Sequence, residues 1–291
     1  MSIYSIDGTA MTGAFGVDGD NLSACYDIDG ETVWTAESTT LKVMAYNVGG
    51  WYTGSGSNVP ADKKSEYLAL QTGMIEDNDP DILIIQEYLA NFSADGTSAL
   101  SMLQSLFPYV HVKTSGTYFG RAICSKYPIT DYTERTYSVE TSRYYDSCTI
   151  TVDGTPITVC TTHLSVSSEA NRTAQIEQLI PFLQQQARFI VGGDFNTGII
   201  DSTANTESAA YISAVKPFID AEFNTANFVN DEFLVTCNDG VDGAGRNWYL
   251  DNLYTSDNMT ISNVYVDTTK LTDNINEKVD HMPLIATVTI S

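Results

Sequence analysis

The polar residues of this 291-residue chain that could do chemistry stand at the ends of apolar runs. Residues 189–198, FIVGGDFNTG, show the pattern most fully: three apolar residues, two glycines, then Asp194 and Asn196 on either side of Phe195. Side chains of an extended chain alternate between faces, so Asp194 and Asn196 share one face and Phe195 takes the other. A carboxylate and a carboxamide presented together can hold a metal, a water or a phosphate. Asp and Asn are also turn residues, and this stretch alone fits an ordinary polar loop equally well. The pattern recurs, however. Asn47 closes LKVMAYNV, Glu87 closes DILIIQE, His163 closes ITVCTTH, Asp251 lies in WYLDNLY, and Asp280 and His281 precede MPL. Taken singly, a Glu after a strand is most often solvated and His163 fits a satisfied strand histidine. Together, in one order, they define a candidate site. Carboxylates and carboxamides with few thiols suit a hard cation such as Mg2+ or Mn2+ over zinc. Two histidines near carboxylates offer phosphate contact and proton transfer.

Such residues need elements that bring them to one place. Residues 41–48 read as a buried strand ending at Asn47, followed by the loop GGWYTGSGSNVP. Helical periodicity covers 61–77, with Leu68 and Ile75 on one face and Pro80 beyond its end. A second apolar strand spans 81–87, and 98–106 make a short helix. Strands are expected around 109–112, 122–125, 148–152 and 157–163, then a helix over 171–187 and the strand that starts at Phe189. Further strands are expected at 248–254, 261–266 and 284–290. Residues 205–211 read as helical and 218–247 as mostly irregular. Strands in two groups, each accompanied by helices, imply two packed sheets with helices outside and strand ends gathered at one rim. Loops at such a rim are where scaffolds place chemistry.

Ahead of residue 41 the texture differs. YSIDG from Tyr4, FGVDG from Phe15 and YDIDG from Tyr26 recur at a spacing of 11 residues. They read as three imperfect copies of a strand, an Asp-Gly turn and a second strand. The segment is either a β-meander added to the fold or an arm for attachment or oligomerisation. Calcium at these turns is disfavoured, because the spacing matches no known ligand loop.

The formal net charge of -23 excludes a general nucleic-acid coat. It does not exclude an enzyme that meets phosphate through divalent cations. Arg121, Lys126, Arg135 and Arg143 fall within 23 residues and form either a local positive patch or a solvated strand pair. The cysteines (Cys25, Cys124, Cys148, Cys160 and Cys237) are odd in number, lack CxxC spacing and read as buried free thiols. No apolar run reaches the roughly 18 residues of a membrane span. The N-terminus carries no readable signal peptide.

In sequence order, MAYNV (44–48), ILIIQE (82–87), GRAICSKYPI (120–129), TVCTTHL (158–164), VGGDFN (191–196), WYLDNLYTS (248–256) and VDHMPL (279–284) resemble the endonuclease/exonuclease/phosphatase superfamily, which has the deoxyribonuclease I-like fold. The resemblance covers residues 41–291, so the chain divides into an N-terminal β-repeat extension, 1–40, and an endonuclease/exonuclease/phosphatase domain, 41–291. It implies an α+β fold, a four-layered sandwich of two packed mixed β-sheets flanked by helices. It also implies phosphate-ester cleavage with Mg2+ or Mn2+ as cofactor. By position, Glu87 becomes the principal metal ligand, with Asn47 and Asp280 near it. Asp194 becomes the group that orients and deprotonates water, and Asn196 a donor to the scissile phosphate. Asp251 pairs with His281, which contacts a phosphate oxygen; His163 becomes a second phosphate-binding histidine, and Arg143 a phosphate-contacting arginine. Two features depart from the family pattern: Gly49 and Gly50 follow Asn47-Val48 where some relatives carry an acid, and His163 has no carboxylate partner evident in the sequence.

The superfamily includes nucleases, RNA deadenylases, lipid phosphodiesterases and inositol phosphate phosphatases, and one fold carries them all. The loop Trp51-Tyr52-Thr53-Gly54 and the stretch from Arg121 to Arg143 favour a nucleic-acid strand, DNA before RNA. Another small or lipid phosphodiester is the alternative, and a binding protein that has lost catalysis is the reading from a different class.

Overall fold

The computed structural model of the protein describes residues 24–26, 32–35, 38–49, 64–89, 92–113, 120–196, 216–227, 234–239, 246–269 and 281–290. A hairpin comes first: β1 (Ala24–Tyr26) pairs antiparallel with β2 (Thr32–Thr35), with Ala24 opposite Thr35. These strands flank the third Asp-Gly repeat, as expected of a strand, turn and strand. The first two copies lie outside the described residues.

Next come β3 (Thr39–Asn47), α1 (Lys64–Asn78) and β4 (Ile82–Gln86). The two-residue strands β5 (Ser93–Ala94) and β6 (Thr97–Ser98) lead into α2 (Ala99–Leu106), β7 (Tyr109–Lys113) and β8 (Arg121–Ser125). The second half begins with β9 (Ile129–Thr133), β10 (Tyr144–Val152) and β11 (Thr155–His163). It continues through α3 (Glu169–Gln184), β12 (Phe189–Asp194), α4 (Lys216–Asp220) and β13 (Asn224–Thr225). A hairpin of β14 (Cys237–Asp239) and β15 (Arg246–Trp248) precedes β16 (Asp251–Thr255), and β17 (Met259–Val266) and β18 (Leu284–Ile290) return to the first half.

Two six-stranded sheets result, ordered β17-β18-β3-β4-β8-β7 and β13-β16-β12-β11-β10-β9. Each is mixed, with one parallel pair at its centre: β3 beside β4 in the first sheet, β11 beside β12 in the second. A helix crosses between the parallel partners each time, as a parallel connection requires. Strand alternation then builds three apolar layers. Val43, Ala45, Ile82 and Ile84 face Val159, Ile190 and Leu253 between the sheets. Met44, Tyr46, Leu83 and Ile85 pack outward with Leu68, Ile75 and Leu103 from α1 and α2. Cys160 and Val191 pack outward with Ile176, Leu179 and Phe218 from α3 and α4. The four-layered sandwich of helices, sheet, sheet and helices is the expected one.

Several boundaries differ from the sequence reading, each for a local reason. The helix expected over 171–187 starts two residues earlier, because Ser168 caps it by accepting from the Asn171 amide at 3.1 Å. β9, with half-exposed and polar residues and Asp131 at φ 52°, is an irregular edge strand that gives little apolar signal. The strand expected over 248–254 breaks at Tyr249 and Leu250, and 218–247 includes α4, β13 and β14. Cys124, Cys148 and Cys160 are buried free thiols, as expected, and Cys237 is buried. The helix expected at 205–211 lies outside the described residues.

Candidate active site

Alternation explains why the polar strand ends converge. Positions 41, 43 and 45 of β3 face the inter-sheet core, so Asn47 faces it too, one step further on at the rim. The same parity carries Ile82 and Ile84 to Gln86, Ile157 and Val159 to His163, Ile190 to Asp194, and Leu253 back to Asp251. Asn47 stands opposite Gln86 and His163 opposite Asp194 in the parallel pairs, and Asp194 opposite Asp251 in the antiparallel one. Glu87 follows with φ 55° and Asn196 with φ 51°, so both turn out of their strands through left-handed backbone.

The two glycines of VGGDFN face protein. A Cβ on Gly192 would lie 2.7 Å from Leu253 Cδ2 and 2.9 Å from Ile84 Cδ1, so Gly192 lets the sheets close beneath the site. A Cβ on Gly193 would meet the Thr162 carbonyl oxygen at 2.0 Å.

Asp194 is the hub, and it is almost fully buried. Its Oδ1 accepts from the Asn196 amide at 2.8 Å. Its Oδ2 accepts from Asn47 Nδ2 at 3.0 Å and stands 3.3 Å from His163 Nε2 and 3.7 Å from His281 Nε2. The carboxylate partner of His163, invisible in the sequence, is therefore Asp194 across the parallel register, with Glu87 Oε1 further away at 4.0 Å. Asn47 Nδ2 also lies 3.4 Å from Glu87 Oε1. Asp251 Oδ2 stands 2.7 Å from His281 Nδ1. With that nitrogen protonated toward the carboxylate, Nε2 is left facing the site. Asn196 Nδ2 donates to the Leu164 carbonyl at 2.9 Å, which leaves its second hydrogen for a ligand.

Burial governs the protonation states. Loss of solvent raises the Asp194 carboxyl from 3.8 to about 7; Asp251 and Glu87 push it the same way, against His281 and the Asn196 amide. His163 is held well below 6.5, first by burial and then by Arg143 and His281, so it is neutral at pH 7.

The donor set fits a hard divalent cation. Asp194, Asp251 and His281 bring ligand atoms within 4.8 Å of one another. Asp251 Oδ1 is buried with no hydrogen-bond partner among the described residues. Glu87, with 26% of its side chain exposed, is more open to solvent than Asp194 or Asp251. A divalent cation would offset the burial and the neighbouring acids that together raise the Asp194 carboxyl. Asp280 lies outside the described residues.

The basic residues do not gather into a patch. Arg143 Nε is 3.3 Å from Glu140 Oε1, near enough to His163 to affect its charge. Arg121 is buried in an ion pair with Asp146, which also accepts from Tyr132 Oη at 2.7 Å and the Arg135 amide at 2.8 Å. Its guanidinium lies 4.0 Å over the Tyr144 ring, and that ring stands edge-on to His163. Lys126 pairs with Asp79 and Asp81 at the opposite end of the sheet, where Ser125 faces Ile82. Arg121 therefore lies within the sandwich, against the ring that packs on His163. The Trp51-Tyr52 loop lies outside the described residues. Sequence reading missed Gln86, Tyr144, Asp146, Thr236 and Asn227, whose contacts cross between sheets or from distant loops; an inward-facing polar residue in an apolar strand, as at Gln86, was the one available signal.

Acids, a carboxylate-held histidine and convergent amides thus gather at one rim of this sandwich. The chain belongs to the Endonuclease/Exonuclease/phosphatase family, whose model matches residues 54–273. Members of that superfamily are phosphodiesterases, nucleases and phosphatases that use divalent metals. Solved structures with the same fold include ANGEL2, a 2',3'-cyclic phosphatase in complex with adenosine-2',3'-vanadate: 15% identity, TM-score 0.65, 88% of this chain and 97% of that one. An endonuclease/exonuclease/phosphatase from Beutenbergia cavernae matches at 13% identity with a TM-score of 0.63, over 87% of this chain and 72% of that one. TDP2 of D. rerio, complexed with a single-strand DNA product, matches at 13% identity with a TM-score of 0.57, over 86% of this chain and 99% of that one. No curated protein matches by sequence. No described helix is long and apolar enough to cross a membrane.

Proposed function

We propose that the protein is a divalent-metal-dependent phosphodiesterase, and that DNA is its substrate. The observation that carries the reading is the convergence on Asp194 Oδ2 of Asn47, His163 and His281 from separate elements, with Asp251 behind His281. Glu87, with Asn47 and Asp280, would hold Mg2+ or Mn2+, which would supply charge neutralisation at the phosphate. Asp194 takes a proton from the attacking water once it is ionised. The second hydrogen of Asn196 Nδ2 and the Nε2–H of His281 donate to phosphate oxygens as charge builds on them. Asp251 fixes the tautomer of His281 and favours its protonated form. Neutral His163 donates from Nε2, and Arg143 stands beside it.

DNA is favoured over other esters by two points: TDP2, of similar fold, was solved with a single-strand DNA product, and no described element is an apolar surface fit for a lipid. The paired arginines and the net charge of -23 mean that affinity rests on the site and less on a basic track. A screen of plasmid and single-stranded DNA, RNA, adenosine-2',3'-cyclic phosphate, sphingomyelin and inositol phosphates, with Mg2+ and with a chelator, tests the reading. DNA cleavage that a chelator abolishes is expected. Cleavage of the cyclic phosphate alone would move the assignment to a small-molecule phosphodiesterase, and no hydrolysis of any ester would leave a binding protein on this fold. Removing 1–40 and measuring the oligomeric state tests the extension as an oligomerisation arm.

A further inference from the structure

We propose that Thr236 is the positioning residue of the Asp251–His281 pair, a role that rests on the catalytic reading of that pair. Thr236 precedes β14 and is fully buried. Its Oγ1 accepts from the amides of both Leu250 and Asp251, each at 3.0 Å. Its carbonyl accepts from the Met282 amide at 2.7 Å, and its amide donates to the Trp248 carbonyl at 2.9 Å. Cys237 adds a bridge to His281 itself. One residue therefore grips the backbone on both sides of the 2.7 Å Asp251–His281 contact.

The grip explains the break between β15 and β16. Consecutive amides of a regular strand point to opposite edges. Here two consecutive amides turn to a single hydroxyl, and the bend aims Asp251 into the rim. Asn227 secures the same residue from its other side: Nδ2 donates to the Asp251 carbonyl at 2.8 Å, and its amide donates to Asn252 Oδ1 at 2.8 Å. Loss of the hydroxyl frees the bend while Met282, next to His281, stays tied to the Thr236 carbonyl, so the carboxylate and imidazole drift apart. A misplacement of about 1 Å can cost on the order of 100-fold in rate.

The test compares Thr236→Val, which deletes the acceptor at nearly constant volume, with Thr236→Ser, which keeps it. Two readouts are taken: steady-state kinetics on the ester that the wild-type protein hydrolyses, and the imidazole N–H resonances of protein carrying labelled histidine, of which the chain has three. Thr236→Val is expected to lower kcat by about 10- to 100-fold with little change in KM. It is also expected to shift or broaden the His281 Nδ1–H signal, and Thr236→Ser restores both. Thr255→Val removes another fully buried hydroxyl, on β16, that has no partner among the described residues, and leaves both readouts unchanged. A folded Thr236→Val protein with wild-type kcat and an unmoved His281 signal overturns the inference. If that variant does not fold, Thr236→Cys, a weaker acceptor of similar size, takes its place under the same criteria. Should the wild-type protein hydrolyse none of the esters, the catalytic reading fails while the resonance comparison still decides whether Thr236 orders the pair.

Discussion

The two sheets carry the same device to different ends. In the first, β3, α1 and β4 end in Asn47 and the Gln86-Glu87 turn; in the second, β11, α3 and β12 end in His163 and Asp194. Both parallel pairs deliver two polar residues to one rim. The difference is solvent. Glu87 keeps a quarter of its side chain in water and sits on left-handed backbone, whereas Asp194 is sealed and ringed by an amide and two imidazoles. An acid open to water is accessible to a cation; the sealed one has its carboxyl raised toward neutrality, as proton transfer needs. One topology used twice yields two roles because burial is set strand by strand.

The sharpest way to break this comparison is to neutralise each acid. Asp194→Asn is expected to lower kcat by about 10²- to 10⁴-fold while reducing the cation-induced rise in melting temperature only in part. Glu87→Gln is expected to lower activity by about 10²- to 10³-fold and to abolish that rise. Equal responses of the thermal shift to both variants would erase the division of labour.

A pH titration reads the sealed acid directly. A carboxyl whose folded pKa, about 7, exceeds its ordinary 3.8 gives stability that is complete below 3.8 and lost as pH climbs through 7. Metal-free wild-type protein should therefore melt progressively lower between pH 4 and pH 7, with Asp194→Asn showing a flatter profile; parallel profiles would count against a buried, raised carboxyl. The rate should rise over the same range, since the base works ionised, and cation binding should draw that limb to lower pH.

The seam between the sheets gives a smaller effect. Gly192→Ala places a methyl against Leu253 and Ile84 and should cost about 1–3 kcal/mol in urea unfolding. Gly154→Ala, at φ 83° with open space around it, should cost about 1 kcal/mol through backbone strain alone. The smallest effect concerns charge: cleavage of DNA should show a shallow dependence on salt, because Arg121 and Arg143 already carry acidic partners.

Much of the sandwich and its rim is legible in the amino-acid sequence. Apolar runs such as ILIIQ and FIV, too short for helices, mark the central strands, and each displays its polar terminus. Parity does the rest, since a residue two steps beyond Val43 and Ala45 must share their face. What stays hidden has a common cause. The Asp194 partner of His163, the Asp146 partner of Arg121 and the hydroxyl of Thr236 all act across strand pairings or between sheets, and no local period encodes those. Arg121 shows the cost of reading charge by proximity in sequence: a cluster along the chain became an ion pair facing inward.

The place of β18 in its sheet has a consequence for the order of assembly. Leu284 to Ile290 lie between β3 and β17, pairing with Ala45 to Thr39 from across nearly the whole chain. During synthesis the first sheet has a gap beside its central strand until those residues leave the ribosome. Its apolar inner face, Leu41, Val43 and Ala45, lacks the flanking Leu284, Ala286 and Val288 until then. His281 arrives three residues ahead of the strand that closes the sheet. The nascent protein thus gains His281 and its completed core within the same short stretch of synthesis.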